Sequence, residues 1–136
     1  MVSSIWDSGT VLYERALDVR SAVHETIASN LANEETPGYK QRILPFRETL
    51  AALQRGETPL DMSQSNARHL SLFNPQTHIF HHVNIVHSGG GLDGNTVNLE
   101  QEMTNMAENT MMYMAVSQFL KGRFDGWRTA IAEGRG

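Results

Sequence analysis

The sequence predicts a mainly α protein, in which long N- and C-terminal helices form a coiled-coil-type pair and a small irregular or short β region lies between them. Two apolar patterns with helical spacing, one toward each end of the 136-residue chain, supply the helices. A stretch holding three of the four prolines separates them and supplies the middle region. The second pattern is too long for the interior of a domain this size, and that length points to a coiled coil. The chain divides as 1–40, 41–94 and 95–136, together one structural unit.

From about Thr10 to Asn33 neither Gly nor Pro interrupts, and Leu12, Ala16, Val19, Val23, Ile27 and Leu31 recur at steps of three or four, giving one apolar helical stripe. The helix stops at Thr36-Pro37-Gly38-Tyr39. There Pro37 fixes a negative φ and Gly38 accepts the positive φ that a type II turn requires.

In the middle region, Arg47 to Arg55 reads as a short helix closed by Gly56 and Pro59. Thr77-His78-Ile79-Phe80 and Val83-Asn84-Ile85-Val86 carry β-branched residues and read as short strands or a hairpin-like arm. Gly89-Gly90-Gly91 and Asp93-Gly94 form the strongest breaker cluster and read as a flexible joint.

The C-terminal helix is expected to start at Asn98, whose side-chain oxygen can accept from an orphan amide near Gln101. Leu99, Met103, Met106, Thr110, Tyr113, Ser117, Leu120, Phe124, Trp127 and Ile131 then alternate steps of four and three, a heptad seam in which only Thr110 and Ser117 are polar. Glu100, Glu102 and Glu108 lie early, and Lys121, Arg123 and Arg128 late, the order that suits the helix dipole. A helix from Asn98 to about Ala132 would be about 50 Å long, whereas a compact domain of this size is about 35 to 40 Å across. Such a helix protrudes. Met111, Met112, Met114, Val116 and Phe119 lie partly off the seam, so a single partner helix leaves apolar surface uncovered. Gly122 and Gly126 each weaken the helix by about 1 kcal/mol relative to Ala, which leaves room there for a kink or a frayed end.

Composition excludes several functions. Eleven Lys and Arg against fifteen Asp and Glu give a net charge of -4, which disfavours phosphate backbones and anionic lipid as partners. No cysteine is present, so disulfides, thiolate metal sites and thiol nucleophiles are out. The N-terminus has neither the basic region nor the apolar core of a cleaved secretory signal, and the longest apolar run, Met111 to Val116, is far short of a membrane span, so direct membrane insertion is not expected. His78, His81, His82 and His87, with His69, are the only metal-ligand candidates. No Asp, Glu or Cys stands nearby to complete or orient a shell, which favours surface or packing histidines. No nucleotide cradle and no nucleophile elbow occurs. The expectation is no enzyme, no cofactor and no bound metal.

The segment Ser29-Asn30-Leu31-Ala32-Asn33-Glu34-Glu35-Thr36-Pro37-Gly38-Tyr39-Lys40 closely resembles the N-terminal signature of the bacterial flagellar rod, hook and hook-filament junction proteins. Asp93-Gly94-Asn95-Thr96-Val97-Asn98-Leu99-Glu100-Gln101-Glu102-Met103, with Ala107-Glu108-Asn109 and Tyr113, is similar to the C-terminal region of that family's smallest, proximal-rod member. The resemblance covers roughly the first and last 40 residues; Asp61-Met62 and Arg68-His69-Leu70 match in fragments, and Gln41-Arg42-Ile43-Leu44-Pro45 departs from the more acidic stretch usual there. Phe46-Arg47-Glu48-Thr49-Leu50 is similar to the Phe-x-x-x-hydrophobic element by which early flagellar substrates engage the export gate, although a short amphipathic helix accounts for the same spacing.

The resemblance implies export through the flagellar type III apparatus on an uncleaved signal. It also implies assembly in the periplasm with copies of itself, other rod proteins, and the basal-body ring and its adaptor. On that reading the chain is a torque-transmitting structural subunit of the proximal rod. Its helix-packing interface is Leu12, Ala16, Val19, Val23, Ile27, Leu31, Leu99, Met103, Met106, Tyr113, Leu120, Phe124, Trp127 and Ile131. Asn33, Thr36, Pro37, Gly38 and Tyr39 set the turn, and Phe46 and Leu50 are the candidate export-gate element. The alternatives are a coiled-coil adaptor or export chaperone, and a histidine-based metal-binding protein.

Overall fold

The computed structural model describes residues 8–55, 83–87 and 89–134. Five elements follow in order: α1 (Ser8–Ala32), β1 (Arg42–Ile43), α2 (Phe46–Gln54), β2 (Asn84–Ile85) and α3 (Leu99–Glu133). The protein is mainly helical, with long helices toward its two ends and a small antiparallel sheet between them, as the sequence predicts.

Helix α1 runs unbroken because it contains no proline and its one glycine, Gly9, lies in the first turn. Its inner stripe buries Ala16, Val19, Ala22 and Ile27, with Val19 fully out of solvent, while Leu12, Val23 and Leu31 are half-buried. The expected turn is present: Tyr39 N–H donates to the Thr36 carbonyl at 3.2 Å, and Gly38 holds φ at 74°. A side chain there would meet no atom within 4 Å, so the constraint on Gly38 is purely the backbone angle.

Helix α2 begins directly after Pro45, which cannot cap with a side chain. Instead the Pro45 carbonyl accepts both the Thr49 N–H at 3.0 Å and the Thr49 hydroxyl at 2.8 Å. Thr49 and Ala52 face inward, and Arg15 of α1 donates to the Leu53 carbonyl at 3.1 Å, fastening the far end of α2.

The strand expected at Val83 to Val86 is there as β2, but its partner is β1, in the register Arg42↔Ile85 and Ile43↔Asn84. Thr77 to Phe80, its expected neighbour, lies outside the described residues. The short β1 was missed because a two-residue strand has no room to display a period-2 pattern.

Helices α1 and α3 form an antiparallel hairpin. Going down the pair, Asn30 meets Glu102, Arg20 meets Asn109, Tyr13 stacks on Phe119, and Gly9 lies against Arg123. The 35 residues of α3 make it about 52 Å long against about 37 Å for the 25 of α1. Its last turns therefore run on past the start of α1. The helix continues through Gly122 and Gly126 to Glu133, close to the end at about Ala132 expected from the sequence. Neither glycine has other atoms within 4 Å of its Cβ position, so no neighbour pushes the helix apart at these weak points.

Candidate interaction surface and the clasp that positions it

The end of α1 and the start of α3 are joined by a buried polar clasp. Glu102 is only 1% exposed, and its carboxylate accepts three amide donors: Asn30 Nδ2 at 2.8 Å, Gln41 Nε2 at 2.8 Å and Asn105 Nδ2 at 3.1 Å. Asn30 also donates to the Arg42 carbonyl at 2.7 Å and accepts the Arg42 N–H at 2.9 Å, so one side chain holds α1, β1 and α3 together. Asn30 sits three residues after Ile27, in phase with the buried stripe, which places a polar group where an apolar one would otherwise pack.

A second knot joins the two segments that carry the family resemblance. Asn95 Nδ2 lies 2.9, 2.7 and 2.9 Å from the carbonyls of Asn33, Glu34 and Thr36, in the turns that follow the end of α1. The Asn95 side-chain oxygen accepts the Val97 N–H at 2.8 Å. Around it, Gly38 N–H donates to the Asp93 carbonyl, Thr96 N–H to the Tyr39 carbonyl, and Lys40 Nζ to the Gly94 carbonyl at 2.7 Å. Where the glycines suggested a flexible joint, Gly91 to Asn95 makes a hydrogen-bonded turn laid against the Thr36 to Tyr39 turn. Gly94 (φ 76°) approaches Gly38 so closely that a Cβ on it would sit 3.8 Å from the Gly38 Cα. Immediately beyond, Asn98 caps α3 as expected, accepting the Gln101 N–H at 3.0 Å.

Farther along the hairpin Arg20 binds all three helices. Its Nη1 donates to Asn109 Oδ1 at 3.2 Å, Asn109 Nδ2 returns a bond to the Arg20 carbonyl at 3.0 Å, and the guanidinium carbon lies 3.8 Å from the Phe46 ring centroid. Burial lowers the Arg20 pKa from its ordinary value, and the charge of Glu108 acts in the opposite direction. On the outer side of α1, burial and then the neighbouring Glu14 raise the Asp18 pKa.

The face that α3 turns toward α1 includes Glu102, Asn109, Val116 and Arg123, each one residue before a member of the seam read from the sequence. Only Glu102 and Asn109 of the whole helix are buried. Of the seam residues, Met106, Leu120 and Trp127 are half-buried, whereas Leu99, Met103, Tyr113, Phe124 and Ile131 are exposed. Met111, Met112, Met114 and Phe119 are exposed as well. The hairpin thus uses its polar file for internal contacts and leaves an apolar file open along α3. In the turn, Asn33 and Tyr39 are half-buried while Thr36, Pro37 and Gly38 are exposed; Phe46 and Leu50 are half-buried on α2.

Sequence reading did not single out Glu102, Gln41, Asn95 or Asn109 as structural anchors. A polar residue in phase with a buried stripe was the available signal for Asn30, and the paired motifs at the facing helix ends were the signal for Asn95. Among the described residues no group of three or more His, Cys, Asp or Glu is placed to hold a metal ion. His69, His78, His81 and His82 lie outside those residues, and His87 is exposed. No helix among the described residues is long and apolar enough to cross a membrane.

No family model matches the chain. Against curated proteins the chain is 29% identical over 132 residues to the flagellar basal body rod protein FlgB of Yersinia enterocolitica, covering 94% of this chain and 96% of that one. The flagellar basal body rod protein FlgB of Escherichia coli (strain K12) is 28% identical over 135 residues, with 94% and 96% covered. The protein of the same name from Bacillus subtilis (strain 168) is 28% identical over 132 residues, with 94% and 97% covered. Along nearly its whole length, and not only in the two motifs that first suggested it, the chain resembles the flagellar basal body rod proteins.

Proposed function

We propose that the chain is a structural subunit of the proximal rod of the bacterial flagellar basal body, and no enzyme, exported by the flagellar type III system without a cleaved signal peptide and assembled in the periplasm. The observation that carries this reading is the apolar file left open along a helix too long for its own partner. Met103, Met111, Met114, Phe124 and Ile131 cost free energy in water and need other helices to cover them. Near-full-length similarity to rod proteins says which assembly supplies such helices.

In this reading copies of the chain and other rod proteins pack against α3, and the clasp fixes the angle at which α3 is presented. The interface would include the helix-packing residues named from the sequence, the nine buried or half-buried ones contributing to the hairpin and the five exposed ones, Leu99, Met103, Tyr113, Phe124 and Ile131, to neighbours. Charge favours contact between the acidic outer side of α1, with Glu14, Asp18 and Glu25, and the later part of a neighbouring α3, with Lys121 and Arg128. The basal-body ring and its adaptor take the place of a neighbouring subunit at one end, and the packed helices transmit torque. Phe46 and Leu50 would engage the export gate in the unfolded chain, because folding sets the Phe46 ring beneath Arg20.

Localisation tests the proposal. A tagged chain expressed in place of its own gene should co-purify with detergent-extracted basal bodies, and deletion should abolish motility. A chain that remains cytosolic and bound to unassembled rod proteins would make it an adaptor or export chaperone instead.

A further inference from the structure

Five of the seven methionines of the chain fall between residues 103 and 114. Met103, Met111 and Met114 are 59%, 64% and 55% exposed, and at about 100° per residue they lie within about 80° of one another, on the side of α3 away from Glu102 and Asn109. Met106, by contrast, is half-buried beside the hairpin seam. Leucine would give the same helix a similar apolar face. Methionine adds a thioether sulfur that accepts an oxygen atom from a peroxide and thereby becomes polar.

We infer that Met103, Met111 and Met114 form a reversible oxidation site, at which a hydroperoxide converts the open face of α3 from apolar to polar while the α1–α3 hairpin stays folded. In each reaction the sulfur lone pair attacks the distal peroxide oxygen, the S–O bond forms as the O–O bond breaks, and the sulfur loses two electrons. The displaced oxygen takes up a proton and leaves as water when the oxidant is hydrogen peroxide. A methionine sulfoxide reductase reverses the step with two thiols, which supply two electrons and two protons and become a disulfide as the oxygen leaves as water.

The hairpin survives because its internal ties are elsewhere. Asn30 bonds to Glu102, and Arg20 and Asn109 bond to each other, across α1 and α3, and none of these bonds involves a methionine sulfur. The three sulfoxides instead alter the surface that must lose water when another helix covers it. That last consequence, exclusion from assembly, rests on the rod reading; the site and its effect on the surface do not.

The test uses the full chain treated with hydrogen peroxide. Peptide mass mapping over time should show oxygen added at Met103, Met111 and Met114 ahead of Met106, with far-ultraviolet circular dichroism unchanged and retention on a phenyl column clearly reduced. Reductase treatment should restore retention, and the triple variant M103L/M111L/M114L should lose much less retention in peroxide, with Met112 the exposed methionine of α3 that remains. Oxidation led by Met106, loss of helix on oxidation, or unchanged retention would each overturn the inference. Incorporation into basal bodies is scored separately. An untreated chain that fails to enter them sinks the rod reading alone, whereas oxidised chain entering as readily as untreated chain removes the assembly consequence.

Discussion

Glu102 shows how a single buried carboxylate can govern the geometry of a much larger surface. Its three amide donors come from α1, from the segment after the turn, and from its own helix. Replacement by Ala takes one of its two acceptors from Asn30, which keeps the Arg42 carbonyl, and takes the carboxylate from half-buried Gln41, and the expected loss is about 2 kcal/mol. Glu102→Gln keeps one acceptor but turns an NH2 toward an existing donor, so a smaller loss of about 1 kcal/mol is expected. Urea titration of both variants checks the order; equal stability of all three proteins would mean the clasp holds nothing. Asp18 offers a test by pH. Its pKa is raised first by burial and then by Glu14, so the folded chain binds this proton more tightly than the unfolded one. Stability from this group is therefore greatest at low pH and falls as pH rises from the ordinary value of 3.8 through the raised one. Asp18→Asn should stabilise the free chain at neutral pH, and the gain should vanish below 3.8 in thermal melts across pH.

At the scale of elements, the proposed function gives one side of α3 to folding and the other to assembly. Leu120 is half-buried against the hairpin, whereas Phe124 is exposed and makes an edge contact with Trp127 of its own helix at 5.4 Å between centroids. Leu120→Asp should lower the stability of the free chain by about 1 to 3 kcal/mol and impair rod assembly as well. Phe124→Asp should leave stability nearly unchanged and still abolish incorporation into basal bodies, with export intact. Denaturation and basal-body purification run on the same variants distinguish the two. Wild-type motility in both would end the assignment of this helix to the rod. These elements also show what could be read in advance. Uninterrupted spacing announced α1 and α3, Asn98 announced its cap, and Pro37-Gly38 announced the turn, because each is a local rule. The face that α3 gives to α1 was not legible from hydrophobicity, since the contact runs through Glu102 and Asn109 while more apolar residues stay outside. The interlocked turns were equally hidden. Asn33 and Asn95 are joined across 62 positions of sequence, and nothing local marks such a pairing.

At the scale of the molecule, the described residues form a hairpin with a buried polar clasp at one end and a row of exposed apolar side chains along α3. If copies of the chain cover α3 as proposed, they bind the folded state in preference to the unfolded one, and association adds stability. The melting temperature should therefore rise with protein concentration, as mass action requires of coupled folding and association. A monomer that is complete by itself would melt at one temperature throughout. Thermal circular dichroism over about a hundredfold range of concentration measures this, since by mass action a hundredfold excess over the dissociation constant contributes about 2.7 kcal/mol. Phe124→Asp combined with Met114→Asp removes apolar contact from the open face without touching the clasp, and its melting temperature should not move with concentration. If the wild-type curve were equally flat while the chain still entered basal bodies, the open face would be covered only by other rod proteins, and the part assigned to sister copies would have to be withdrawn.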